Sequence, residues 1–224
     1  MNDYAKARAR MIREQLLPRN IADQRVLEAM QEVPRHIFVE DALRAQAYGD
    51  FPLPIGEGQT ISQPYIVALM SQMLNLQGHE KVLEIGTGCG YQTAILARLC
   101  NRVYSVERIK KLLAAARKNL DKARCFNALC KVADGTLGWT EHAPYDAIMV
   151  TAGGPEIPAT LIEQLADPGI MVIPVGDRTT QQLTRVTKIN GEILVEAGEA
   201  VRFVSLIGAQ GWHLEEPTSS LRPY

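Results

Sequence analysis

The chain has 224 residues, with 24 Lys and Arg set against 25 Asp and Glu, four His and four Cys. Hydrophobic residues make up 46% and charged residues 22%, a globular balance long enough to bury a core without staples. The net charge of −1 leaves no global electrostatic footprint for nucleic acid or an anionic membrane, and no run of about 18 apolar residues offers a spanning helix.

The opening stretch, MNDYAKARARMIREQ, mixes charged and small residues and lacks an apolar signal-peptide core. From Tyr4 to Leu17, Met11, Ile12, Leu16 and Leu17 fall on a rough helical stripe. Asp23 then caps a second helix that runs to Val33 and stops at Pro34. Residues 48–60, YGDFPLPIGEGQT, hold three Gly and two Pro, which predicts a long loop, functional or disordered, rather than a regular element. After Ser62-Gln63-Pro64 the run YIVALMSQML predicts a helix with proline in its first turn.

From Lys81 the pattern changes. KVLEIG, RVYSVE, ALCKVAD, YDAIMVTA and GIMVIPVG read as buried strands; YQTAILARLC, IKKLLAAARKNLDKA and Ile157–Leu165 read as helices between them. That succession predicts an α/β fold, a doubly wound, mostly parallel sheet with right-handed connections. In LTRVTKINGEILVEAG, Asn190-Gly191 sits between two alternating runs, so the sheet is expected to end in an antiparallel hairpin. The expected division is one domain: N-terminal helices and a substrate loop over 1–78, a cofactor-binding core with its hairpin over 79–212, and a polar tail over 213–224.

The segment Glu84-Ile85-Gly86-Thr87-Gly88-Cys89-Gly90 lies between a predicted strand and helix. Its glycines permit a sharp turn and close approach of a ligand to the main chain. Glu107 follows about twenty residues later, at the end of the next strand, where a carboxylate can accept both hydroxyls of an adenosine ribose. Dinucleotide binders use G-x-G-x-x-G to seat a pyrophosphate; here the spacing is G-x-G-x-G, with Glu84 two positions before the first glycine. That carboxylate would repel a pyrophosphate but attract an ammonium and a sulfonium, which favours S-adenosylmethionine. A plain tight turn is the competing account of the glycines. Asp134-Gly135 follows the third strand, where Asp could take an adenine amino group and Gly leave room for the ring; an ordinary Asp-Gly turn fits equally well.

With these motifs in order, the chain resembles the protein-L-isoaspartate (D-aspartate) O-methyltransferase family over nearly its whole length. GEGQTISQPYIVALM is similar to the family's loop and helix before the cofactor motif, VLEIGTGCGYQTAILA to its first methyltransferase motif, and VYSVERI to its ribose-binding strand. ADGTLGW, PYDAIMVTAGGPEIP, PGIMVIPVG and VRFVSLIGAQGW resemble the later segments. Two positions depart: Cys89 stands where the family usually has Ser, and Ser205 where it usually has Pro. The resemblance implies a Rossmann-like class I methyltransferase fold with an N-terminal helical extension. It implies S-adenosylmethionine (product S-adenosylhomocysteine) held by Ile61, Ser62, Gln63, Glu84, Gly86, Thr87, Gly88, Glu107, Arg108, Asp134 and Gly135. Ser62 corresponds to the active-site serine. Isoaspartyl proteins and peptides, the implied partners, would lie between Ile55, Gly56, Gln59 and Thr60 on one side and Val204, Ser205 and Leu206 on the other.

The implied nucleophile is a carboxylate with an ordinary pKa of about 3.9, so it needs no general base at neutral pH. His36, His79, His142 and His213 are scattered and suggest none. Ser62 could touch the substrate carboxylate or simply cap the following helix. Cys89, Cys100, Cys125 and Cys130 lack zinc-ligand spacing, so reduced thiols in a cytoplasmic protein and no metal are expected. A monomer without nucleic-acid or membrane partners is expected, with an oligomer left open. An RNA methyltransferase, a nicotinamide oxidoreductase and a non-catalytic cofactor binder are the competing readings.

Overall fold

The computed structural model describes residues 3–213. The chain enters through helix α1 (Asp3–Met11), which widens into a π turn over Ile12–Leu16 and tightens into a 3-10 turn over Leu17–Arg19. The single helix expected over Tyr4–Leu17 is therefore shorter. Pro18 brings no N–H to continue the helical ladder, and Asn20 closes the turn at φ 63°. Helix α2 (Gln24–Glu32) starts as read, with Asp23 accepting from the N–H groups of Arg25 and Val26.

Residues 48–60 depart further from expectation. They contain all but the last residue of an antiparallel ribbon, β1 (Leu53–Gly56) with β2 (Gln59–Ile61), in which Leu53 lies opposite Ile61. Gly56, Glu57 and Gly58 all have positive φ and make its tip. The glycines thus form a hairpin turn, and the apolar residues Leu53 and Ile61 pin the ribbon to the core. Helix α3 (Pro64–Met73) follows directly, with proline at its start.

Strands β3 (Lys81–Ile85), β4 (Arg102–Glu107), β5 (Ala128–Val132), β6 (Tyr145–Val150), β7 (Leu165–Gly176), β8 (Gln181–Ile189) and β9 (Glu192–Val201) form one sheet in the order β5-β4-β3-β6-β7-β8-β9. The first five strands pair in parallel, and β8 and β9 close the edge antiparallel through the Asn190-Gly191 turn. Helices α4 (Tyr91–Leu99) and α5 (Lys110–Lys122) make the crossovers from β3 to β4 and from β4 to β5. Helix α6 (Ala159–Gln164) is shorter than its expected span because β7 begins at once with Leu165.

Val82, Leu83 and Ile85 of β3 and Ala147 to Val150 of β6 are buried, as continuous apolar runs in central parallel strands should be. Strand order reverses beside β3, between the β4 and β6 neighbours. A crevice at such a switch point opens beyond the carboxyl ends of the strands, and that places the glycine turn after β3 at its floor. Among the described residues, no helix is long and apolar enough to cross a membrane. Of the polar tail expected over 213–224, all but His213 lies outside the described residues.

Candidate active site

Gly86, Gly88 and Gly90 all adopt positive φ (98°, 55° and 90°), so the turn after β3 uses backbone that other residues avoid. A Cβ on Gly86 would stand 2.3 Å from Thr151 Oγ1. That hydroxyl donates to the carbonyls of Ile85 (3.0 Å) and Gly86 (2.7 Å), clamping the turn to the end of β6. A Cβ on Gly90 would press on Leu120 at 3.2 Å, so this glycine sets the seat of α5 against α4.

Glu107, at the end of β4, reaches back to the same turn. Its Oε2 accepts from the Gly88 N–H at 2.9 Å and its Oε1 from the Ile109 N–H at 2.8 Å. Each oxygen keeps a further lone pair. The carboxylate lies on the wall of a cleft of about 880 Å³, open solvent at its mouth included, between the glycine turn, the ribbon strand β2 and the segment after β9. Gln59, Thr60, Ile61, Ser62, Gly86, Thr87, Gly88, Glu107, Arg108, Gly135, Val204, Ser205 and Leu206 all line it. A second cleft of about 1190 Å³, measured the same way, adjoins the first; Thr60, Ser62, Thr151 and Val204 belong to both.

Ser62 stands at that junction. The residue that caps α3 is Gln63, without a side-chain cap bond, so the capping account of Ser62 is set aside. The Ser62 hydroxyl makes no hydrogen bond with the described residues. Thr87 lines the first cleft while its hydroxyl meets that of Ser105 at 2.6 Å beneath the turn.

Five expected site residues sit elsewhere. Glu84 is corrected most: its side chain is fully buried behind the glycine turn, where Oε2 accepts from Thr93 and Ser105 and Oε1 has no partner. Burial raises its pKa to about 7. Direct contact with a cationic ligand is not what this placement offers. Asp134 is likewise off the wall, since its carboxylate accepts from the Thr136 N–H and hydroxyl and from the Ala209 N–H, tying down the chain after β9. Gln63 points into the second cleft and donates to the carbonyl and carboxylate of Asp50. Gly56 forms the ribbon tip, and Ile55 lies over Gly88, within 3.4 Å of where a Cβ there would sit.

Sequence reasoning missed Thr151, which clamps the glycine turn and borders both clefts; its signal was its place at the carboxyl end of β6. It also missed most of the walls of the second cleft. There Tyr65 donates to Glu199 at 2.7 Å, and the Arg19 guanidinium stacks 4.6 Å over the Tyr65 ring while pairing with Asp50. Burial and the Glu199 carboxylate raise the Tyr65 pKa to about 12. None of the four histidines lines either cleft. Among the described residues, no group of three or more His, Cys, Asp or Glu is gathered as a metal site would need.

A glycine turn on the first parallel strand, an acidic residue ending the next and a cleft at the switch point define a class I S-adenosylmethionine-dependent methyltransferase. Residues 6–211 match the family model of protein-L-isoaspartate(D-aspartate) O-methyltransferase, and the chain belongs to that family. The protein-L-isoaspartate O-methyltransferase of Geobacter metallireducens is 56% identical over 211 residues, covering 94% of this chain and 98% of its own. Protein-L-isoaspartate O-methyltransferase 2 of Geotalea uraniireducens is 58% identical over 211 residues, covering 94% and 97%. Among solved structures, a protein-L-isoaspartate O-methyltransferase superposes with a TM-score of 0.82 at 29% identity, covering 91% of this chain and 67% of that one. A Plasmodium falciparum β-aspartate methyltransferase solved with S-adenosyl-L-homocysteine superposes with a TM-score of 0.78 at 27% identity, covering 92% and 99%.

Proposed function

We infer that this chain methylates the free carboxylate of L-isoaspartyl residues, and more weakly of D-aspartyl residues, in damaged proteins and peptides. The observation that carries the reading is the pair of adjoining clefts: one built for a nucleoside, the other open for a peptide, meeting at Thr60, Ser62, Thr151 and Val204. S-adenosylmethionine supplies an electrophilic methyl group on a sulfonium and leaves as S-adenosylhomocysteine. The residues fit it. Glu107 has lone pairs to spare for two ribose hydroxyls, each bond worth about 1.5–3 kcal/mol. Gly86 and Gly88 let the main chain approach, and Arg108, Ile109 and Gly135 line the same cleft as Glu107. A Cβ at Gly135 would lie 2.4 Å from Ile85 Cγ2.

The substrate carboxylate is ionised well below neutral pH, so the chain has no proton to remove. The unpartnered Ser62 hydroxyl at the junction donates to that carboxylate and holds one oxygen in line. Opposite charges cancel as the new bond forms, so excluding water destabilises the separated ions more than the transition state. Holding the oxygen about 3–3.5 Å from the methyl carbon supplies much of the remaining acceleration. Ile55, next to the ribbon tip, covers Gly88 and helps keep water from the glycine turn. The ester product collapses to a succinimide when its own neighbouring main-chain nitrogen displaces methanol. Hydrolysis then returns part of it to aspartate, which makes the reaction the first step of repair.

Residues 3–212 act as one domain in this reading. A shared buried cluster joins Met11, Met30 and Phe38 of the N-terminal part to Tyr91, Ile95 and Leu183 of the core. Four free thiols support a cytoplasmic location, and the net charge of −1 supports protein rather than nucleic-acid substrates. The test is incubation with methyl-labelled donor and two synthetic peptides, one with normal aspartate and one isomerised. Label entering only the isomerised peptide as a base-labile ester is expected; equal labelling, or none, defeats the reading.

A further inference from the structure

The N-terminal part encloses a group of polar side chains that line neither cleft. Arg35 opens the 3-10 turn Arg35–Phe38 and is 0% exposed. Its Nε donates to the Ala47 carbonyl at 2.7 Å, and its guanidinium stacks 4.9 Å over the Tyr91 ring. Nη1 and Nη2, which carry most of its donors, make no hydrogen bond. Arg8 Nε of α1 and Arg44 Nε of the 3-10 turn Asp41–Gln46 are buried without partners as well. Tyr48 joins these groups: its hydroxyl meets His36 Nδ1 at 2.8 Å, its carbonyl accepts from Gln15 at 2.9 Å, and the charges of Arg8 and Arg35 both act on it. Burial, and then the charges of Arg8 and Arg44, lower the pKa of His36.

The charge balance of this cluster is one-sided. Arg44 pairs with the exposed Asp41 at 2.7 Å, but among the described residues no carboxylate pairs with Arg8 or Arg35. The acidic groups that face Arg35 are Tyr91, Cys89 and Tyr48. Burial raises the pKa of each, that of Cys89 to about 11, so all three are neutral at pH 7. Burial lowers the Arg35 pKa too, yet a guanidinium keeps its proton. A buried charge without a counter-charge is costly, and a bound counter-ion removes that cost. We propose that this cluster binds one inorganic anion of chloride's size on Nη1 and Nη2 of Arg35, with Arg8 and Arg44 beside them. The anion neutralises Arg35 and fastens α1 and residues 35–48 to the first turn of α4, where Tyr91 also lines the first cleft. Gln15 Oε1 is an unpartnered acceptor in the same cluster, so a water bridging it to Arg35 is the rival occupant.

The test has two arms on the full chain. Crystals are grown in sodium bromide, because bromide replaces chloride and scatters anomalously; an anomalous peak at hydrogen-bonding distance from Nη1 and Nη2 of Arg35 is expected. In solution, urea unfolding is followed as sodium chloride replaces sodium gluconate, whose anion is too large to enter, at constant ionic strength. Once chloride exceeds its dissociation constant, each tenfold rise is expected to raise the wild type's folding equilibrium constant about tenfold relative to Arg35→Met, which lacks the donors and carries only the general salt effect. Should Arg35→Met fail to fold, Arg8→Gln takes its place, and its dependence is expected to shift to higher chloride. A peak without anomalous signal, as a water gives, overturns the proposal. So does a chloride dependence that is the same in the wild type and the variant.

Discussion

Glu107 holds the glycine turn and offers its remaining lone pairs to the cleft, so removing it acts twice on the same site. Glu107→Ala is expected to weaken S-adenosylmethionine by more than tenfold, as the loss of charge-assisted bonds implies, and calorimetry reads the change directly. Unaltered affinity would remove Glu107 from the ribose site. Glu84 has a different signature. Burial lifts its pKa from 4.5 to about 7, so between those values the unfolded chain gives up this proton while the folded chain keeps it. Folding then loses stability as pH rises through that window and changes no further above it. In Glu84→Gln this contribution is gone, so the wild type's stability relative to the variant should fall between pH 5 and pH 8, read as urea midpoints. A difference independent of pH would show that Glu84 is ionised alike in both states. The identity of Glu84 and Glu107 was legible in the sequence; their orientation was not. Both lie at the carboxyl ends of parallel strands beside the same turn, Glu107 as the last residue of β4 and Glu84 as the last but one of β3, and Glu84 is turned inward onto Thr93 and Ser105.

At the scale of elements, the parallel core was legible because its strands are buried on both faces and announce themselves as unbroken apolar runs. Asn190-Gly191 announced the closing hairpin through turn chemistry alone. The β1–β2 ribbon was hidden, since three glycines and two prolines look the same in a loop as in a twisted hairpin held by Leu53 and Ile61. Pro18 was visible, yet the π turn over Ile12–Leu16 was not, because IREQL follows the same apolar stripe as an ordinary helix. The first cleft could be read because its floor is contiguous in sequence. The second could not: Tyr65 and Glu199 are 134 residues apart and meet only because β9 folds back beside α3.

For the molecule as a whole, the helical N-terminal part and the parallel core each supply one wall of the reaction site. The first brings Thr60 and Ser62, the second brings Thr151 and Val204, and in the proposed reaction the substrate carboxylate and sulfonium meet between them. No proton donor or acceptor is required at that junction, and Glu84, whose pKa is about 7, faces the opposite way. The most direct measurement is the rate of a single methyl transfer with both substrates saturating, followed from pH 4 to pH 9. The rate is predicted to rise with ionisation of the substrate's own carboxyl, near its ordinary pKa of about 3.9, and then to stay level through neutrality. An inflection near pH 7 in the transfer step would contradict the account, because it would require an enzyme group to change its charge before the carboxylate can react.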